Sequence, residues 1–355
     1  PNIKDVSDFF LSGVVGMVIR QKPEPLVYER TLGMSVMEGK GFYYPNDAAV
    51  SSDGKIYVLN RSLEARGSGR GMRVTICDSS DAFHGDFGEF GEGPGQFMWP
   101  SAIAEGPGQN IYVTDEHLHK IMMFSPDGLF LKEWGELGSE AGHLDSPSGI
   151  AFNSVGELFV SDTYNNRIQV FTSSGEYVRS FGSDGDLNLP WRLNFDSSDH
   201  LYVADWGNDR ICKYNPDGHF IESYGETGDG EGEFLHPADV VIDDFGRMFI
   251  CDWGNERIQV LNADGEFLQM NLGQSDLSPW AANFLNINVE EGQARERSDL
   301  HKKDIKFANP EDRHEISSHI EEYFWSPMAL SLTPDGHLYV IESNRHRIQI
   351  FKTVI

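Results

Sequence analysis

The stretch HLYVADWGNDRICKY, residues 200–214, carries the pattern that decides the fold. An aromatic and β-branched run, Leu201-Tyr202-Val203, ends on Asp205. A short polar loop follows, and Arg210-Ile211-Cys212 begins a second apolar run. Five other segments repeat it: KIYVLNR from Lys55, NIYVTDEHLHKIMMF from Asn110, ELFVSDTYNNRIQVF from Glu157, RMFICDWGNERIQVL from Arg247 and HLYVIESNRHRIQIF from His337. Each lies at one distance from a proline: Pro45 to Asn60, Pro100 to Asp115, Pro147 to Asp162, Pro190 to Asp205, Pro237 to Asp252 and Pro327 to Glu342 all span 15 residues. Internal repetition at a fixed period marks a repeat architecture.

Within each unit the alternation is that of strands. An apolar run follows the proline, as in Ile150-Ala151-Phe152, and a Gly-containing turn leads to the strand that ends on the acidic residue. A third strand starts at the Arg, and Asp217-Gly218 or Asp264-Gly265 turns the chain into a fourth. Four antiparallel strands per unit of ~45 residues make a propeller blade, which packs radially and protects its edges. The sixth unit stops after its third strand. Val27 to Gly33 resembles the fourth strands Tyr177 to Gly182 and Phe220 to Gly225, so the N-terminal strand is predicted to complete the last blade. The expected fold is all-β: one six-bladed propeller over residues 26–355, with a helical insertion at 274–326 and an N-terminal extension at 1–25.

Asp162-Thr-Tyr-Asn-Asn-Arg167, Asp205-Trp-Gly-Asn-Asp-Arg210 and Asp252-Trp-Gly-Asn-Glu-Arg257 resemble the NHL repeat, and the resemblance covers nearly the whole chain. It fades in the first and last blades, where Asn60 and Glu342 replace the Asp. The resemblance implies a propeller and a functional face but no single activity, since the family holds RNA-binding domains of tripartite-motif proteins, peptide-amidating lyases and scaffold modules. Lactonase-like and strictosidine-synthase-like propellers are its relatives.

Composition narrows the partners. The net charge is −28, and Lys supplies only 11 of 28 basic residues. Such a chain repels nucleic-acid phosphates and anionic lipid, so neither is an expected partner. Cys77, Cys212 and Cys251 are odd in number and show no CxxC spacing, which points to a reducing compartment and a cytoplasmic protein. No apolar run reaches the ~20 residues of a membrane span. Phe9 to Ile19 lacks the flanks of a signal peptide, and Pro1 reads as the product of initiator Met removal. In segment 1–25, Ser7 is placed to cap a short helix with Phe9, Phe10, Val14, Met17 and Val18 on one face.

Two departures from the repeat stand out. The first-blade loop carries eight extra residues within the basic run Arg61 to Arg70, which reads as a flexible surface loop or, alternatively, as a gate carrying cationic ligand contacts. The 274–326 insertion has helix starts at Ser278-Pro279 and Asn309-Pro310, with apolar stripes Trp280, Phe284, Leu285 and Ile316, Ile320, Tyr323, Phe324. It joins a fourth strand to the next first strand, so it should emerge on the face of the acidic loops and cap it.

Chemical templates fit poorly. His314 and His319 mimic HExxH with one residue too many and diverge on a helix, and no blade-start proline is followed within two residues by the His of the amidating lyases. No phosphate loop, serine elbow or catalytic-cysteine signature appears, and the catalytic residues stay unassigned. The repeated Asp at the end of each second strand is read as a loop brace. The irregularity lies two residues after the prolines, where Ala102, Gly149 and Ala329 are small but Asp47, Arg192 and Asp239 are charged. Charges near the channel axis must be paired, hydrated or used, so these three read either as a structural ion pair with channel water or as a polar pocket for a small ligand. Asp47, Arg61, Glu116, His117, Trp191, Arg192, Trp206, Asp239, Trp253, Glu342 and His346 are therefore the candidate ligand contacts, and Asp47, Asp239 and Glu342 the candidate metal ligands. If carboxylates converge, a divalent cation such as calcium would be the cofactor. The leading expectation is a binding module that takes a small molecule or a protein partner at the mouth of the channel. The alternative is a lyase or hydrolase, lactonase-like and metal-dependent, using the same carboxylates.

Overall fold

The computed structural model describes residues 25–62, 70–182, 186–274, 276–300 and 306–354. The helix expected in 1–25 and most of the Arg61 to Arg70 run lie outside the described residues. Six four-stranded antiparallel sheets are present among those described. In five of them the strands follow chain order from the axis outward, as in Pro45–Val50, Lys55–Asn60, Arg73–Asp78 and Phe83–Phe87. In the sixth, Pro327–Leu332, His337–Glu342 and Arg347–Thr353 are joined by Leu26–Leu32 as the outermost strand. Its register runs from Leu26 opposite Thr353 to Leu32 opposite Ile348. The first and last described strands thus share a sheet, and the ring closes without a free third strand.

Buried aliphatic and aromatic side chains from adjacent blades interleave into the core. Tyr57, Val74 and Phe87 of blade one pack with Ile103, Val113 and Phe124 of blade two. Leu26 of the closing strand packs in one cluster with Phe249 and Val260 of blade five and Leu338 and Phe351 of blade six.

Every blade is braced by the residue that ends its second strand. Asn60, Asp115, Asp162, Asp205, Asp252 and Glu342 are all fully buried. Each accepts a hydrogen bond from the backbone N–H of the residue 17 positions earlier: Tyr43, Met98, Asp145, Asn188, Leu235 and Trp325, at 2.6–3.2 Å. Where the brace is ionised, an arginine of the third strand pairs with it in four blades: Arg167, Arg210 and Arg257 at 2.7 Å and Arg347 at 2.6 Å. Such charge-assisted bonds satisfy a buried carboxylate that would otherwise be costly.

A second contact latches one blade to the next. His119, Asn166, Asp209, Glu256 and His346 hold left-handed backbone (φ 52–55°) just before the third strand. Their side chains accept the N–H that precedes the next blade's proline, on Ser146, Leu189, His236, Ser326 and Tyr44. Blade one carries Met72 at that position and has no acceptor to offer.

The insertion divides in two. Helix α1 (Pro279–Ile287) is capped by Ser278, whose Oγ accepts from Ala281 N, and helix α2 (Val289–Arg297) follows it directly. Trp280 is buried against Leu32, Phe42 and Ile348, and its Nε1 donates to Asp81 O at 2.9 Å. α1 therefore clasps the outer rim where blade six meets blade one and does not cap the channel. Helix α3 (Arg313–His319) starts later than Asn309-Pro310 suggested, because Asp312 accepts from Glu315 N and is the cap. It ends before Ile320, so the second apolar stripe is helical only in part.

α3 does lie on the acidic-loop face. His314 Nδ1 meets the Glu256 carboxylate at 2.5 Å, and Arg345 donates to Ser317 O and Ile320 O. Removing residues 26–32 should leave the Arg347–Thr353 strand as an open edge. The expected result is aggregation and a lower melting temperature, read by size-exclusion chromatography and calorimetry.

Candidate functional site at the channel mouth

In each sheet the proline at the start of the innermost strand pairs with the brace residue, for example Pro237 with Asp252. The proline ends of the inner strands therefore share a face with the loops after the braces, here called the loop face. Positions beyond the proline lie progressively deeper in the channel.

Arg192 closes the channel near this face. Blade four is irregular here: Pro190 pairs with Asp205 and the next pair is Leu193 with Val203, which leaves Trp191 and Arg192 outside the ladder. Freed from the sheet, the guanidinium crosses the axis. Its Nη1 donates to Asp47 Oδ2 at 2.7 Å, Nη2 to Asn46 O at 2.7 Å and Ser101 O at 2.9 Å, and Nε to Met328 O at 3.1 Å. One side chain thus ties blade four to blades one, two and six, and it is only 3% exposed. Gly149 makes room for this strand, since a Cβ there would come within 2.3 Å of Trp191 O.

The two aspartates each bridge to a neighbouring blade as well. Asp47 accepts from Ala48 N and Ile103 N, and Asp239 accepts from Val240 N and Leu330 N, at 2.7–2.9 Å. Arg192 pairs with Asp47 across the channel and not with its neighbour Asp239. Burial pushes the Asp239 carboxyl up to about 7, with Asp47 adding to the rise and Arg192 opposing it. Burial raises Asp47 too, against the pull of Arg192 and two backbone amides.

These three charges do not line the loop face. They floor a cavity of 270 Å³ that runs along the inner strands to Val50, Glu105, Phe152 and Leu332, the ends remote from the prolines. The sequence expectation of one site on the capped face, with Asp47, Arg192 and Asp239 at its centre, is corrected accordingly. The misreading arose because depth along the strand cannot be judged from the repeat alone.

On the loop face, the first residue after each brace forms a ring: Arg61, Glu116, Thr163, Trp206, Trp253 and Ser343. Arg61 and Glu116 form a salt bridge at 2.9 Å, with both side chains mostly buried. The Arg61 guanidinium lies 4.1 Å from the Trp99 ring centroid, over the indole. Among the described residues the Glu116 carboxylate accepts only from Arg61. Burial raises its pKa, opposed by Arg61 and then Arg192. The Nε of Arg61 is buried and has no partner among the described residues. Trp99, Glu116, His117, His119 and Ser146 line a cavity of 390 Å³ beside the pair.

The other half of the ring is aromatic. Trp191, Trp206 and Trp253 have successive centroid separations of 6.3 and 6.5 Å, and His236 stacks on Trp206 at 3.9 Å. Trp253 Nε1 is a second buried donor without a partner among the described residues. Trp99, His119 and His236 were missed in the sequence. Trp99 and His236 could have been found as the residues just before Pro100 and Pro237, where the Asp115 brace holds Trp99 N and the Asp209 latch holds His236 N.

The remaining candidates fall outside this site. Glu342 is the blade-six brace, and its oxygens are taken by Arg347, Gln349 and Trp325 N. His346 is a latch: burial lowers its pKa to about 4, so its neutral Nδ1 accepts from Tyr44 N at 2.8 Å. Asp47, Asp239 and Glu342 are each committed to different partners, and no group of three or more His, Cys, Asp or Glu placed to hold a metal ion occurs among the described residues. The calcium expectation thus has no donor set. All three cysteines are free and buried, and burial pushes the Cys77 thiol up to about 12, which removes them as nucleophiles. No helix among the described residues is long and apolar enough to cross a membrane.

A family model described as NHL repeat matches residues 144–171 and 324–351, and one described as 6-bladed beta-propeller matches residues 192–294. The chain is a six-bladed β-propeller of the NHL type. No curated protein sequence matches it. Among solved structures, a streptogramin B lyase is similar with TM-score 0.55 and 14% identity, over 93% of this chain and 98% of that one. A catalytically inactive virginiamycin B lyase from Staphylococcus aureus with quinupristin gives TM-score 0.56 and 12% identity, over 92% and 99%. Kuenenia stuttgartiensis hydrazine synthase gives 0.54 and 16%, over 91% and 99%. At these identities the NHL propeller shares a fold with them and nothing finer.

Two outcomes follow from the channel. Arg192→Ala should destabilise the protein by about 3–5 kcal/mol, because it leaves Asp47 buried without its cation. That exceeds the roughly 1–3 kcal/mol that a partly exposed ion pair would imply, and urea unfolding measures it. Asp239 binds its proton more tightly folded than unfolded, so its contribution to stability is full below about pH 4, fades as pH rises to about 7 and is flat above. Asp239→Asn, which mimics the protonated acid, should lose this slope in melting curves taken between those limits.

Proposed function

We propose that this propeller is a binding module that receives a small ligand on its loop face, at the mouth of the channel. The observation that carries the reading is Glu116. The brace, latch and channel carboxylates described above all accept at least one backbone N–H, whereas Glu116 is mostly buried and spends its oxygens on Arg61 alone. A buried carboxylate is expensive unless it is paired and fully hydrogen-bonded, and among the described residues Glu116 has Arg61 but no backbone donor. The pair also spans the boundary between blades one and two, where Met72 offers no latch, so part of its role is to hold that boundary. Its unpartnered Arg61 Nε and the adjoining cavity are what a purely mechanical bridge does not need. Below the mouth, the Arg192 cork stops a ligand from passing through. The net charge of −28 supports a small molecule over a nucleic acid.

A second reading, a lyase or hydrolase, draws on one observation: the same carboxyl has a raised pKa and stands beside His117 at the cavity, as a general base requires. Several structural neighbours are lyases, which supports the reading by analogy of fold only.

Fragment screening by thermal shift should return hits that stabilise the wild-type protein. Glu116→Gln should lose most of that stabilisation while melting within a few degrees of wild type. Hits retained in full by Glu116→Gln would sink the reading. Conversion of a hit, followed by mass spectrometry and abolished in Glu116→Gln, would favour the enzyme.

A further inference from the structure

The ring of first loop residues is not uniform, and its two halves face each other. In a ring of six, blade one stands opposite blade four and blade two opposite blade five. Arg61 and Glu116 belong to blades one and two; Trp206 and Trp253 belong to blades four and five. An ion pair therefore stands across the mouth from a wall of indoles. Between the two halves lies Arg192, which acts electrostatically on Arg61 and Glu116 and directly follows Trp191 of the aromatic half.

Each half has a specific chemical demand. Among the described residues the ionic half holds a buried N–H donor without a partner, Arg61 Nε, beside a carboxylate bonded to Arg61 alone. An amide group, with its C=O and N–H side by side, meets both. A buried donor left unsatisfied is costly, so an occupant that supplies an acceptor gains affinity there. The aromatic half offers ring faces tilted by 33° and 39° from one indole to the next, a shallow arc. His236, stacked within 15° of parallel on Trp206, fixes the middle ring in place. Flat apolar groups stack on such surfaces.

We infer that the mouth selects an amphiphilic small molecule, with an amide placed against Arg61 and Glu116 and an aromatic ring laid on Trp206 and Trp253. The inference rests on the proposal of a ligand site at the mouth and adds the class of ligand and its orientation. A single-ended ligand would meet one demand and leave the other half hydrated, so the two ends act together.

The test uses full-length 15N-labelled protein and follows the indole N–H signals of Trp206 and Trp253, assigned with Trp206→Phe and Trp253→Phe. N-acetyl-phenylalanine amide should shift both signals. N-acetyl-glycine amide, which lacks the ring, and toluene, which lacks the amide, should each bind at least about tenfold more weakly. Trp206→Ala and Arg61→Ala should each weaken the aromatic amide by about tenfold or more. If Arg61→Ala does not fold, Arg61→Lys keeps a cation between blades one and two but removes the Nε donor, and the same loss is expected. Absence of any shift with the aromatic amide, equal binding of either half-molecule, or unchanged affinity in Arg61→Lys overturns the inference. The underlying proposal fails separately: it survives such a result if screening hits still require Glu116, and it falls if they do not.

Discussion

The structure depends on one interaction repeated around the ring: a fully buried side chain at the end of the second strand that accepts the backbone N–H of the residue 17 positions before it. That bond pins the connection entering the blade to the loop leaving its second strand. Everything on the loop face is placed by it. Because the acceptor is buried, its chemistry is constrained: a carboxylate needs several donors, and the third-strand arginines supply them in four blades. The two exceptions obey the same physics. Asn60 is neutral, and Arg73 turns away to the carbonyls of Val36, Gly39 and Gly41. Asp115 has no arginine and accepts instead from the backbone N–H groups of Met98, Trp99, His117 and Leu118.

The second constraint is the channel. Six inner strands meet at the axis, and five of them keep the pairing that follows the proline after a single-residue shift. Blade four does not, and its wider irregularity releases Arg192 to bond three other blades. Closing the ring with one cation has a chemical consequence. The guanidinium pairs with Asp47, while burial raises the pKa of Asp239, which bonds two backbone amides. The channel therefore has two unlike ends, a polar cavity on one side and a shallow mouth on the other.

The fold was legible because it is written six times. A constant proline-to-brace distance, alternating apolar runs and a missing last strand specify blades, their number and their closure. α1 was legible at its start, since Ser278-Pro279 is a local signal, but not in its place, because only tertiary packing decides that Trp280 fills the rim between blades six and one. α3 misled at its start for the opposite reason: Asp312 outcompeted Asn309 as a cap. Candidate site residues were legible as departures from the repeat. Their grouping was not: Asp47, Arg192 and Asp239 share a sequence position and do meet, yet they meet below the mouth. Glu342 and His346 looked exceptional by residue type, while the structure uses them as one brace and one latch among several.

The division of labour within each loop explains where chemistry can reside. The brace is fixed by burial, the residue four positions later by its left-handed backbone and latch bond, and the arginine after it by the brace. The first residue after the brace carries none of these duties, and its backbone position at the mouth is set by its neighbours. Its side chain is free to differ from blade to blade, and it does: Arg61, Glu116, Thr163, Trp206, Trp253 and Ser343 share one structural position and no common chemistry. A rigid scaffold whose repeated residues carry the brace and the latch, and which leaves one position per blade free of both, can change what it binds while keeping its fold. In this chain those positions do not vary at random around the ring: the charged pair occupies adjacent blades, the indoles occupy the adjacent blades opposite, and small hydroxyl residues separate the two halves. That grouping gives the mouth a direction, which a channel with six equivalent walls would lack.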